Sequence, residues 1–242
     1  MQLKPFFWLT LFSIAMGFLE TAVVVYLREI FYPVGFSFPI IPIIGHLGSI
    51  ELWREAATVA MLLSIGILVG NNTPTRFGAF LYSFAVWDLF YYVFLKITLD
   101  WPESLFTWDL LFLIPTPWVG PVLAPVITSL TMILLAAALF WFNRSYQITH
   151  LKLLDWSLLI VGSLVMLASF MIDYIQFMLP RFTLPELFST EHRYAVNDAT
   201  RLYIPTEFYW TLFWLGEVII LGGIGTYVYR NIESMRSLMR NA

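Results

Sequence analysis

The sequence predicts an all-α, polytopic integral membrane bundle of six transmembrane helices. Three observations predict it. Of the 242 residues, 60% are hydrophobic and only 12% are charged, where a soluble domain has roughly 45–50% apolar and about 25% charged residues. Runs of about 20 apolar residues, the length that a ~30 Å hydrocarbon layer requires, recur from one end of the chain to the other. Those runs are continuous rather than alternating, which favours helices over the strands of a membrane barrel. The whole chain, 1–242, reads as one transmembrane domain without a separate soluble one.

The first span covers about 5–31. Lys4 ahead of it resembles the start of a signal peptide, but the apolar run continues to Leu27. That exceeds the ~7–15 residues of a secretory core, so an uncleaved first span is expected. Span two, about 50–70, ends at the breaker "NNTP"; its Gly66 and Gly70 form a GxxxG that lets a neighbouring helix approach. Span three, about 75–99, holds "SFAVWDLFYYVFLK". Span four, about 121–143, follows "PTPWVGP", and span five, about 155–179, stops at "LPRFTLPE". Span six, about 208–230, carries "GGIG", a second packing motif, and leads into a basic, amphipathic tail.

Two of the connections are unusual. Residues 33–49 and 100–120 are apolar and proline-rich, with Trp101, Trp108 and Trp118 suited to headgroup level. Both segments are expected as apolar interfacial or re-entrant outer loops, because bare backbone at that depth needs shielding by protein or a wet cavity. Residues 181–207 are polar enough to be a solvated outer loop carrying a short helix.

Orientation follows from basic residues near the span ends. One side collects Lys4, Arg76, Arg144, Lys152, Arg230, Arg236 and Arg240 against only Asp155 and Glu233. The other holds Arg28, Arg54, Lys96, Arg181, Arg193 and Arg201 with the remaining fourteen of sixteen carboxylates. The first set lies in short loops, where the rule applies best. Both termini are therefore expected in the cytoplasm, with the plasma membrane of a bacterium (its inner membrane) as the location.

Asp88, inside an otherwise apolar span, asks for an explanation. At 1.5 Å per helical residue, Glu20, Glu51, Glu55, Asp88, Asp173 and Glu217 all fall at mid-layer or toward one surface. A carboxylate at mid-bilayer costs ~2.5–3.5 kcal/mol on insertion scales, so such groups face a bundle interior or a wet cavity. Candidate partners at matching depth are Arg28, Arg54 and Lys96, with Tyr92 one turn beyond Asp88. Acids outnumber bases, which calls for protonated acids, a bound cation or water. A polar cavity opening outward is the expectation; a purely structural ion-pair network is its rival.

The best-fitting function is a small transporter or binder of a proton, metal ion or small cationic solute. Glu20, Glu55 and Asp88 would form the cation site, with Glu51, Arg28, Arg54 and Tyr92 around them and Lys96, Asp173 and Glu217 as outlying members. Two alternatives stand beside it. One is a membrane-embedded enzyme acting on a lipid, isoprenoid or quinone, with a small apolar or lipid-like ligand entering sideways. The other is an accessory subunit docked on a membrane-protein partner. His46 and His192, both in outer loops, are candidate metal ligands together with Glu51 or Glu55. The chain has no Cys, no paired His on one helix, no phosphate-cradling loop and no nucleophile elbow. Without a cytoplasmic domain it offers nothing for nucleic acid, and the sequence designates no cofactor.

Overall fold

The computed structural model describes residues 3–43, 45–145, 150–189 and 191–240. Ile44 of the 33–49 segment, residues 146–149 of the 144–154 loop and the side chain of Arg144 lie outside the described residues. Six helices are long and apolar enough to cross a membrane: α1 (Leu3–Phe31), α2 (Gly45–Val69), α3 (Thr73–Leu99), α4 (Leu123–Ser145), α5 (Leu153–Met178) and α8 (Trp210–Arg240). Two short helices, α6 (Leu184–Leu187) and α7 (Arg193–Thr200), occupy the polar connection between α5 and α8.

Two bounds depart from the sequence expectation. α2 begins at Gly45, inside the segment read as loop, because "GHLGS" continues into the apolar run without a proline to stop it. α8 runs ten residues past Arg230, since the basic tail contains no helix breaker. The tight α2–α3 turn follows from local chemistry. Asn72 accepts the Thr75 N–H at 3.0 Å, the Thr75 hydroxyl accepts the Asn72 N–H at 3.1 Å, and Pro74 sits where a helix has a spare N–H. Asn72 also donates to Asn143 at 3.0 Å, fastening this turn to α4.

α3 is the axis of one half of the bundle, with α1, α2 and α4 all packed on it, while α5 and α8 form a pair joined to α4 through α8. Leu81, Leu135, Leu139, Leu159, Phe170, Phe213 and Tyr227 make a continuous core across α3, α4, α5 and α8. The closest approach is between α5 and α8. A Cβ on Gly162 would lie 2.8 Å from the Gly216 carbonyl oxygen, and one on Gly216 would lie 2.7 Å from that of Gly162. The "GGIG" stretch contributes less than expected: only Gly223 meets a neighbour, Leu158, and Gly222 and Gly225 face open space. Gly66 of α2 does pack closely, on the Arg76 carbonyl and Phe80 of α3.

The 100–120 segment is not irregular throughout. Its second half is an antiparallel hairpin, β1 (Trp108–Phe112) and β2 (Trp118–Pro121), with Asp109 opposite Gly120 and Leu110 opposite Val119. Pairing the strands satisfies backbone groups that an apolar setting cannot. Gly120 lets the hairpin seat itself, since a Cβ there would lie under 3 Å from Phe208 and Phe170. Val119 also joins Ile40, Tyr174, Met178 and Tyr203 in a cluster that closes this end of the bundle.

The α5–α8 crossing generates a test. Gly162→Leu should lower the thermal stability of the detergent-purified protein by about 1–3 kcal/mol, the usual cost of overpacking. Gly222→Leu, where nothing lies within 4 Å, should leave the melting curve nearly unchanged.

Candidate functional site

At the hairpin end, α1, α2, α3 and β1 diverge around a cavity of about 140 Å³. Glu20 and Asp88 both enter it about 16 Å from the hairpin ends of their helices, and Glu55 about 15 Å along α2. Glu51, Arg54, Arg28 and Asp109 line it as well. The remaining wall is apolar or aromatic, including Val24, Phe84, Trp87, Tyr91, Ile40 and Phe112. Five carboxylates therefore face two guanidiniums in one enclosure.

The charges are arranged in separate groups. Arg54 spans α1 and α2: its Nη2 lies 2.5 Å from Glu51 and its Nε donates to both Glu51 oxygens at 3.0 Å, while Nη1 is paired with Glu20. Glu51 and Arg54 meet because a three-residue offset puts them on one helical face. Arg28 forms the second group. Its Nη2 lies 3.4 Å from Asp109, and its guanidinium stacks 3.9 Å above Trp101 and 4.7 Å from Phe36. Tyr92 donates to the other Asp109 oxygen at 3.1 Å.

Two carboxylates form no ion pair among the described residues. Glu55 accepts the Leu113 N–H with both oxygens, at 3.2 and 3.1 Å, and so anchors the hairpin tip to α2. Asp88 accepts the Ser129 hydroxyl of α4 at 2.7 Å. Outside the membrane-crossing helices, burial pushes the Asp109 carboxyl up to about 6, against the opposing pull of Arg28 and of hydrogen bonds from the Leu110 N–H and Tyr92. Burial likewise raises the Tyr32 phenol, which borders the cavity and accepts the Ile41 N–H at 2.6 Å.

The residues read from the sequence thus divide. Glu20, Glu51, Glu55, Asp88, Arg28 and Arg54 line one cavity, and Tyr92 reaches it through Asp109. Lys96 instead forms an exposed pair with Asp100 at 2.7 Å and donates to the Pro102 carbonyl. Asp173 accepts from Tyr203 and Thr206, both at 2.7 Å, and holds the approach to α8. Glu217 is buried between α4 and α8, accepting from the Thr131 hydroxyl, with its Oε2 unpartnered among the described residues. His46 is exposed in the first turn of α2 and His192 lies 3.7 Å from Glu186. Among the described residues no three His, Asp or Glu side chains are grouped to hold a metal ion.

Asp109 and Ser129 were not singled out by the sequence reading. Asp109 had a signal available, the same one that drew attention to Asp88: a lone acid in an apolar run. Ser129 had none, because a serine in an apolar helix ordinarily bonds its own backbone.

Comparisons with family models, curated proteins and solved structures find no match to this chain. Its fold defines it as a multi-pass helical membrane protein in a lipid bilayer.

Asp109 gives this site a pH signature. Its folded value of about 6 lies above the ~3.9 of an unfolded aspartate, so the folded state binds the proton more tightly. Its contribution to stability is full below about pH 4 and is lost as pH rises through 6. Thermal melts between pH 4 and 7 should show this decline, and Asp109→Asn should flatten it.

Proposed function

We propose that the protein binds a small cation in the hairpin-end cavity and passes it across the bacterial inner membrane, both termini lying in the cytoplasm. The observation that carries this reading is the placement of Glu55 and Asp88. Both face one cavity without an ion-pair partner among the described residues, while both guanidiniums there are already engaged by Glu20, Glu51 and Asp109. Uncompensated negative charge at this depth costs several kcal/mol per ion, and an arriving cation or proton offsets it.

Size favours a compact solute. A cavity of about 140 Å³ is small beside the ~300–1,000 Å³ of sites for drug-sized ligands, which weighs against a whole lipid or prenyl chain as substrate. In this reading Arg54 and Arg28 keep three acids in fixed positions, so that Asp88 and Glu55 receive the cation. α2 carries Glu51, Arg54 and Glu55, rests on α3 and touches α1 only slightly.

Liposomes containing the purified protein, mounted on a solid-supported membrane, test this with concentration steps of inorganic and organic cations and of pH. Wild-type protein should give transient currents for at least one of these. Asp88→Asn should reduce them at least tenfold while remaining monodisperse in size exclusion, and Asp173→Asn should retain them. Undiminished currents in an Asp88→Asn, Glu55→Gln double variant would refute the proposal.

A further inference from the structure

The walls around Asp88 narrow the class of cation, an inference that rests on the cation-binding reading above. On α3, Phe84, Trp87 and Tyr91 lie four residues before, one before and three after Asp88, and all line the cavity with it. Phe84 and Trp87 are stacked, with centroids 5.2 Å apart and planes 26° apart. Phe112 of β1 closes the group edge-on, 6.3 Å from Trp87 and 6.4 Å from Phe84. Aromatic faces attract a cation within about 6 Å, and most strongly one that sheds water readily. At the cavity mouth the protein satisfies its own such site, with Arg28 over Trp101 and Phe36. Among the described residues no Arg or Lys lies over Phe84, Trp87 or Phe112.

A hydrated inorganic cation is poorly served here. It needs several hard oxygen ligands converging on one point, whereas no three of the described carboxylates are placed to hold one metal ion and the surfaces beside Asp88 are rings. Trp87 adds a second and independent requirement. It is only 4% exposed, and its indole N–H is buried without an acceptor among the described residues. Leaving a buried donor unpaired is costly, so a ligand oxygen that accepts this N–H gains what the empty protein forgoes. The volume of about 140 Å³ suits a compact ligand better than a long-chain one.

We propose that the cavity takes a compact organic ammonium ion bearing a hydroxyl or carbonyl oxygen. Its charge lies at Asp88 among the rings of Phe84, Trp87 and Phe112, and its oxygen accepts the Trp87 N–H. Glu55 adds negative potential from the α2 wall, and Arg28 and Arg54, held by their own acids, exclude a second cation from those positions.

Isothermal titration of the detergent-purified full-length protein tests this with choline, ethanolamine, tetramethylammonium, Na⁺ and K⁺ at constant ionic strength. Choline or ethanolamine should bind at least tenfold more tightly than tetramethylammonium, which lacks the oxygen, and equimolar Na⁺ or K⁺ should not compete. Trp87→Phe keeps the ring and removes the donor, so it should bring choline down to the affinity of tetramethylammonium. Asp88→Asn should abolish all ammonium binding, with a melting curve showing the variant folded. Asp88-dependent binding of Na⁺, K⁺ or protons without ammonium binding overturns this inference and leaves the cation reading standing. No Asp88-dependent binding of any probe overturns both. Unchanged choline affinity in Trp87→Phe overturns the oxygen requirement.

Discussion

The bridge from Arg54 to Glu20 and Glu51 is the constraint on which this end of the molecule depends. α1 and α2 touch little directly, so a guanidinium shared between two helices sets their spacing. A planar fork of donors can engage both carboxylates at once, which a lysine ammonium does with less geometric control. The same spacing leaves room for the hairpin, whose tip is held by Glu55. Ionic and hydrogen-bonding contacts here do what apolar interlocking does at the other interfaces.

That contrast divides the bundle in two. α5 and α8 meet through Gly162 and Gly216, with backbones in near contact and aromatic side chains filling the flanks. Such an interface has little freedom to slide, because every shift forfeits close-packed contacts. α1, α2 and β1 instead surround a cavity lined by charged groups. The two halves meet along α3, whose Asp88 faces the cavity while Ser129 of α4 holds it from behind.

The hairpin solves a problem that its own composition creates. Residues 108–121 are too apolar to be solvated and too proline-rich to be helical, yet their backbone must be paired. Two short strands achieve this, and they carry Asp109 into the bundle, where Arg28 and Tyr92 receive it. Without the hairpin, Arg28 would retain its aromatic platform of Trp101 and Phe36 but lose its counter-charge.

The sequence by itself determined the six membrane-crossing helices, since a run of about 20 apolar residues has few other ways to satisfy its backbone in lipid. It also determined that Glu20, Glu51, Glu55 and Asp88 needed company, because depth along each helix follows from a constant rise per residue. Tertiary structure alone decided which of them meet. Rotation about each helix axis, unreadable from one chain, turned Glu217 toward Thr131 and Asp173 toward Tyr203 and Thr206, away from the cavity. The hairpin depended on it too, for strands of four and five residues declare themselves only when a neighbour pairs with them. So did the close α5–α8 contact, whose Gly162 and Gly216 lie 54 positions apart and have no shared signature until the helices are packed.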